Sequence, residues 1–195
     1  MKIALLTPLY PPDIDQLALY TKELASRIGK NHEVTIVAYG YLPEPIDGVR
    51  NVSVDKRKPL AVRLFQYTRQ LNKIARDSDL VYAQNGASIE LPLVLVSVFR
   101  GIPYVLRLGD KEARSRAKKS VLLGLIERIA TRNAHTVITS TDEGVAGVRT
   151  MHIADPLPRP EIHPFADAPV DMTQHETSWE EHVALLEQLF AHGTR

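Results

Sequence analysis

Short apolar runs rich in β-branched residues alternate along this chain with longer segments of helical periodicity. The alternation is typical of βαβ units, in which crossover helices join parallel strands. Because most of the short runs are apolar without interruption, we expect strands that are covered on both faces of the sheet. The six predicted strands are Ile3–Thr7, Val34–Tyr39, Val52–Asp55, Leu80–Gln84, Tyr104–Leu108 and Thr136–Thr139. The pattern predicts an α/β protein with a doubly wound parallel sheet.

Four segments between the strands carry the pattern of amphipathic helices. Two have apolar residues at helical spacing, which predicts core-facing stripes. These stripes are Leu17, Tyr20, Leu24 and Ile28, and then Leu60, Leu64, Tyr67, Leu71 and Ile74. A third helix is expected from near Ser88 to the Gly-Ile-Pro segment at 101–103, and a fourth over 113–132. The fourth has a wide apolar face made of Val121, Leu122, Leu125, Ile126 and Ile129.

The last quarter of the chain differs from the rest in its proline content and in its periodicity. Five of the thirteen prolines lie between Pro156 and Pro169, and periodicity disappears there, which predicts a linker or a surface strap. Periodicity returns at Ser178, where Ser-Trp-Glu-Glu has the form of a capping box, followed by an apolar stripe that should dock on the sheet. The expected division is a domain over 1–150, a proline-rich strap over 151–177 and a terminal helix over 178–195.

Composition limits the class of protein and of site. A chain of 195 residues suits one domain, and no apolar run reaches the roughly 20 residues that span a bilayer. With no cysteine there is no thiolate metal site, and the seven histidines are scattered, so we expect no metal. The first apolar run is too short for a signal peptide, so a soluble cytoplasmic protein is the expectation.

Charge is distributed unevenly. The net charge is +1, but residues 152–195 hold eight Asp and Glu against Arg159 and Arg195, so the rest of the chain carries about +7. No basic stripe is interleaved with aromatic residues, so nucleic-acid binding is not expected.

Candidate ligand-binding segments follow from the predicted sheet. In open parallel sheets, ligands bind outside the carboxyl ends of the strands. The segments that should meet there are 8–16, 39–41, 84–86, 107–111 and 140–142. The first of them contains no glycine, which disfavours a dinucleotide-binding turn, and the chain has no phosphate-binding P-loop motif. We therefore predict no cofactor.

Several segments resemble family 4 retaining glycosyltransferases. The likeness begins with residues 1–7 followed by Tyr10-Pro11-Pro12, and continues through 17–25 and 32–37. It extends through 79–85, 101–107 and 127–138, and Trp179-Glu180-Glu181-His182 resembles the terminal helix that crosses back to the first domain in such enzymes.

The resemblance implies the first, Rossmann-like half of a two-domain GT-B fold, which binds the acceptor. In that family the second half holds most of the nucleotide-sugar donor. Only about thirty residues lie between Thr150 and Ser178, where the second domain would be expected. The resemblance therefore implies an acceptor-binding half that is inactive alone, and that is either completed by a separate donor-binding chain or the remnant of a larger enzyme.

Two positions depart from the family pattern. Asp15-Gln16 stands where the family has a Gly-Gly pair near the donor phosphates, and Gln84-Asn85 stands where many members have a histidine. An amide can bind a sugar hydroxyl but cannot relay a proton, so we assign no catalytic residue. The predicted acceptor- or ligand-binding residues are Tyr10, Asp15, Gln16, Gln84, Asn85, Arg107 and Asp110.

These residues also have purely structural interpretations. Segment 84–86 can be a polar turn that caps the next helix, and Arg107 with Asp110 can be a structural ion pair. A basic run also precedes the wide apolar helix face. By resemblance to family members that use lipid-linked acceptors, it implies peripheral contact with the inner face of a membrane, and its structural interpretation is a solvated helix start. The run is Lys111, Arg114, Arg116, Lys118 and Lys119.

Three functional hypotheses remain open from the sequence. The first is the acceptor-binding half of a glycosyltransferase, with a carbohydrate or lipid-linked acceptor. The second is a non-catalytic interaction module on the same fold, and the third is an unrelated flavodoxin-like nucleotide-binding protein.

Overall fold

The computed structural model describes residues 1–13, 15–40, 42–140, 145, 147–159 and 172–193. Within these residues the strands are β1 (Lys2–Thr7), β2 (Glu33–Tyr39), β3 (Val49–Val54), β4 (Leu80–Gln84), β5 (Tyr104–Arg107), β6 (Thr136–Thr139) and β7 (Thr150–His152). The helices are α1 (Gln16–Ile28), α2 (Leu60–Ile74), α3 (Ala87–Arg100), α4 (Lys111–Lys119), α5 (Val121–Asn133) and α6 (Thr173–Gly193).

All seven strands form one parallel sheet in the order β3-β2-β1-β4-β5-β6-β7. Adjacent residues of a strand point to opposite faces, so Leu5 and Leu6 of β1 belong to two different cores. The Leu5 core is covered by α1 and α6, and the Leu6 core by α2, α3 and α5. The predicted doubly wound α/β fold is confirmed.

The six predicted strands are present, and β7 was missed. This strand has only three residues, none of them fully buried, and it borders the proline-rich segment, so it lacks the apolar run that marked the others. The third strand also begins at Val49 rather than Val52. Its first residues, Val49-Arg50-Asn51, lie on the edge of the sheet and are partly polar.

The prediction of one helix over 113–132 was wrong, because Ser120 divides it into α4 and α5. Ser120 has extended backbone angles (φ −129°, ψ 122°), and its hydroxyl accepts a hydrogen bond from the Leu123 N–H. Serine favours such an N-cap, which starts a new helix. Much of the apolar face of α5 points to solvent: Val121 is 93% exposed and Leu122 is 66% exposed.

The terminal helix docks on the sheet as predicted, but it begins five residues early. Trp179, Leu186, Leu189 and Phe190 are buried in the core that contains Leu5. The predicted capping box was wrong, because Ser178 lies inside α6 and its hydroxyl accepts a hydrogen bond from the Leu157 N–H instead (2.7 Å).

The stretch 160–171 of the predicted strap lies outside the described residues. In the described part of the chain, no helix is long and apolar enough to cross a membrane.

Candidate functional site

The carboxyl ends of β1, β4 and β5 lie side by side. Gln84, the last residue of β4, links β1 to α1. Gln84 is the register partner of Arg107 on β5. Its Oε1 accepts a hydrogen bond from the Thr7 hydroxyl (2.7 Å), and its Nε2 donates to the Thr21 hydroxyl on α1 (2.8 Å). The side chain is 1% exposed. Both ends of the amide are therefore used to hold the ends of β1 and β4 against the middle of α1.

Asn85 connects the loop after β4 to the loop after β5. Its Nδ2 donates to the Asp110 carbonyl oxygen (2.9 Å), and its Oδ1 accepts from the Asp110 N–H (2.7 Å). The Asp110 carboxylate accepts from the Ala113 N–H and so caps α4. The N-cap of α3 is Gly86, so segment 84–86 does contain the cap of the next helix, although no side chain makes the capping hydrogen bond.

Arg107 lies beneath the surface, against α1 and the segment that follows β7. Its guanidinium carbon is 4.0 Å from the centre of the Tyr20 ring, and its Nη2 donates to Asp155 Oδ1 (2.5 Å). The ion pair between Arg107 and Asp110, one of the two interpretations that the sequence allowed, is therefore not formed. The Arg107 Nη1 is buried and finds no hydrogen-bond acceptor among the described residues.

A chain of buried polar groups lies under this arginine. The Tyr82 and Tyr20 hydroxyls are 2.9 Å apart, and the Tyr20 hydroxyl is 2.8 Å from His182 Nε2. The other ring nitrogen, Nδ1, is 2.9 Å from the Ala154 carbonyl oxygen, which can only accept. Burial lowers the pKa of His182, so the ring is neutral at pH 7. Nδ1 therefore carries the proton, Tyr20 donates to Nε2, and Tyr82 donates to Tyr20.

Tyr10 helps to tie together the loops that follow the first three strands. Its hydroxyl donates to the Glu44 carbonyl oxygen (3.2 Å), and the Glu44 N–H donates to the Pro11 carbonyl oxygen (3.1 Å). Glu44 also pairs with Lys22 on α1. The ring is 2% exposed, and burial raises the pKa of Tyr10 to about 12. A further ion pair joins Lys56, after β3, to Asp13.

Asp15 and Gln16 are the two predicted site residues that are exposed. Asp15 caps α1 by accepting from the Leu17 N–H (2.7 Å), and Gln16 is the first residue of that helix. Tyr10, Gln84 and Arg107 lie on the same face of the sheet, because all three contact α1 or the core beneath it. The structure thus brings the predicted residues to one rim of the sheet.

An open cleft of about 550 Å³ lies further along the same rim, between the ends of β2 and β3 and the side of α2. Its polar lining includes Ser53, Asp55, Lys58, Gln66, Arg69 and Gln70. Sequence reasoning identified only segment 39–41, of which Gly40 lines the cleft. Tyr41 lies outside the described residues, as do positions 141 and 142 of the last candidate segment. Polar residues on a helix do not by themselves indicate a binding site, so the side of α2 that lines the cleft was not predicted.

Glu90 is a second feature that sequence reasoning missed. It is 2% exposed near the start of α3, and its Oε1 accepts from the Gly86 N–H (3.2 Å), which holds the turn after β4. Burial raises the pKa of Glu90 to about 7. Across the described ranges, no three His, Cys, Asp or Glu residues come together as a metal site.

Comparisons with known proteins extend these observations. Residues 17–165 match the family model described as glycosyl transferase 4-like domain. A search of curated proteins finds no match. Among solved structures, Anabaena Alr3699/HepE in complex with UDP and glucose has a TM-score of 0.58 and 18% identity, over 80% of this chain and 45% of that one.

Two further structures are similar at a TM-score of 0.50. An alpha-glucosyltransferase in complex with UDP and a 13-mer DNA shares 16% identity, over 80% of this chain and 41% of that one. A UDP-N-acetylglucosamine 2-epimerase shares 15% identity, over 73% and 42%. At these identities the likeness concerns the fold, and the chain spans less than half the length of each of these structures.

Proposed function

Because the chain belongs to the glycosyl transferase 4-like domain family, we propose that it is the acceptor-binding half of an enzyme that transfers a sugar from a nucleotide-sugar donor to a glycan or lipid-linked acceptor. The observation that supports this most is the rim of the sheet. The loops after β1, β2 and β3 are tied together by Tyr10, Glu44 and Lys56, and they border the cleft beside α2. Such a rim is where open parallel sheets bind their ligands.

The chemistry of the cleft suits a carbohydrate. The Gln66 and Gln70 amides can both donate and accept, as sugar hydroxyls require, and Lys58 and Arg69 add donors. Asp15 and Gln16 are exposed on the same rim and are further candidates for acceptor contact. In this proposal Gln84, Asn85 and Asp110 hold the loops in place.

The proposal assigns the donor to a separate chain. Asp15, whose carboxylate caps α1, would repel a diphosphate at the position where the family has glycine. Mixing the chain with a donor-binding partner should produce sugar transfer, whereas neither protein should transfer sugar alone. A cytoplasmic site of action remains part of the proposal.

A binding experiment tests the acceptor role. Purified protein is screened against a panel of glycans, and the best binder is measured by calorimetry with the double variant Gln66→Ala, Gln70→Ala. We expect at least a tenfold loss of affinity with an unchanged melting temperature, because both side chains lie at the surface of the cleft. Gln188→Ala, an exposed glutamine on α6, is the matched control and should bind normally. A lack of any glycan binding, or equal binding by the double variant, would refute the proposal.

Peripheral membrane contact is a second part of the proposal, favoured by the exposed apolar face of α5. Val121, Leu122 and Leu125 are 93%, 66% and 51% exposed, directly after the basic helix α4. Apolar side chains beside lysines and arginines bind the interface of anionic membranes. Such contact would place a lipid-linked acceptor near the rim.

Vesicle sedimentation tests this contact. The protein should sediment with vesicles that contain phosphatidylglycerol and much less with pure phosphatidylcholine. Val121→Ser with Leu122→Ser should abolish sedimentation, while Leu19→Ser, which removes an exposed leucine from α1, should not. Equal sedimentation with both lipids would remove the membrane from the proposal.

The alternative is a non-catalytic interaction module, and the internal bonding of the rim favours it. Gln84, Asn85 and Arg107 are all buried and engaged with neighbouring protein groups. If the Gln66→Ala, Gln70→Ala variant keeps its cellular role, the interaction module is the better account. If the role is lost together with glycan binding, the acceptor role is supported.

A further inference from the structure

The Arg107 guanidinium has more hydrogen-bonding capacity than its surroundings use. Its side chain is 7% exposed, with Tyr20 beneath it and one hydrogen bond from Nη2 to Asp155. Nη1 is buried without an acceptor in the described part of the chain. A buried donor without a partner is unfavourable, so this site favours a ligand that supplies a second acceptor.

Asp155 is much more exposed than the arginine that it contacts. The carboxylate side chain is 47% exposed, and only its Oδ1 receives a hydrogen bond from Arg107. The carboxylate is therefore the more accessible partner of the pair. A ligand that approaches Arg107 from solvent would meet Asp155 first.

The backbone around Asp155 is attached to α6 independently of the Arg107 contact. The Ala154 carbonyl oxygen accepts from His182, the Leu157 N–H donates to Ser178, and the Leu157 carbonyl oxygen accepts from His175. Because these bonds hold the segment, the Asp155 side chain can rotate into solvent without release of α6. Exchange of one carboxylate for another thus requires only a side-chain movement.

We propose that Arg107 is an anion subsite of the rim, at which the carboxylate of an acidic sugar in the acceptor replaces the carboxylate of Asp155. The inference rests on the proposed acceptor function and specifies its substrate class. A planar carboxylate with both oxygens free can receive two parallel hydrogen bonds, from Nη1 and Nη2, where Asp155 receives one. Asp155 then acts as an internal competitor that neutral sugars do not displace.

Trp179 offers a direct readout, because it is the only tryptophan of the chain and its ring centre is 5.5 Å from that of Tyr20. The full chain is titrated with trigalacturonic acid and with its neutral methyl ester while Trp179 fluorescence is recorded. The wild type should bind the acid more tightly than the ester. Asp155→Asn should bind the acid about tenfold more tightly than the wild type, because an amide competes less well for a guanidinium than a carboxylate does. The same substitution should leave ester binding unchanged.

Two variants test the role of the arginine itself. Arg107→Lys keeps the charge but loses the planar guanidinium with its two parallel N–H donors, so it should abolish the preference for the acid. The circular dichroism spectrum of the variant must match that of the wild type. If Arg107→Lys does not fold, the Asp155→Asn titration decides alone, since that variant keeps the arginine. Equal affinity of Asp155→Asn for acid and ester would overturn the inference. Glycan binding through the Gln66 and Gln70 cleft, with no preference for acids, would leave the proposed function standing; no binding of any glycan would refute both.

Discussion

The Arg107 guanidinium packs directly against the backbone of Gly109. A Cβ atom added to Gly109 would lie 2.1 Å from Arg107 Nη1 and 2.6 Å from its Cζ. Contacts that short do not occur between nonbonded atoms, so the glycine is what allows the arginine to fold back toward Tyr20.

Gly109→Ala should therefore destabilise the protein. The added methyl group must displace the guanidinium from Tyr20 and Asp155, at a cost of about 1 to 3 kcal/mol of unfolding free energy. Urea denaturation measures the change. Gly40→Ala is the control, because no atom lies within 4 Å of a Cβ at that position, and it should have little effect. Equal stability of both variants would show that the arginine adapts freely.

Tyr20→Phe should be more destabilising than Tyr10→Phe. The first change removes the hydroxyl that donates to His182 and accepts from Tyr82, which leaves two buried groups unpaired, at a cost of about 1 to 3 kcal/mol. The second removes a single hydrogen bond of 3.2 Å to the Glu44 carbonyl oxygen. Thermal and urea denaturation of both variants would give the comparison, and a smaller effect at Tyr20 would contradict the assigned proton arrangement.

The stability of the wild type relative to Glu90→Gln should depend on pH. Burial raises the pKa of Glu90 to about 7 in the folded protein, above its ordinary value of 4.5, so the folded state binds the proton more tightly than the unfolded state does. The stability that this provides is complete below about pH 4.5 and is lost as the pH rises through about 7. The expected loss relative to the variant is on the order of 3 kcal/mol.

Urea denaturation of both proteins between pH 5 and pH 8 measures this difference. Because burial lowers the pKa of His182, that residue contributes in the opposite direction, with stability lost as the pH falls below about 6.5. Both proteins keep His182, so its contribution cancels in the comparison. Parallel stability profiles would mean that Glu90 does not titrate in this range.

Ser178→Ala distinguishes the observed contact from a helix cap. Its hydroxyl accepts from the Leu157 N–H, so its loss should cost about 0.5 to 1.5 kcal/mol without shortening α6. Amide exchange at Leu157 should become faster, whereas exchange within α6 should not change. Faster exchange at residues 173–181 would instead indicate that Ser178 stabilises the start of the helix.

Most of the secondary structure could be predicted from the residue pattern, but the pairing of polar side chains could not. The run Leu80–Gln84 identified a buried strand, and the stripe at Leu186, Leu189 and Phe190 identified a helix that docks. By contrast, the sequence offered Asp110, three residues away, as one possible ion-pair partner of Arg107, yet the arginine pairs with Asp155, which is 48 residues away. No local pattern encodes a contact at that separation.

The sequence by itself determined the alternation of strands and helices, and with it a parallel sheet whose strand ends meet at one rim, because burial on both faces leaves a periodic signature in each element. Only the tertiary structure decided which rim residues are exposed and which are buried and hold the loops together. Gln84 and Asn85 have the composition of a sugar-binding turn, but their amides are used by Thr7, Thr21 and Asp110. The reason is physical: an amide binds whichever donor or acceptor lies within about 3 Å, and that distance is set by packing of distant segments.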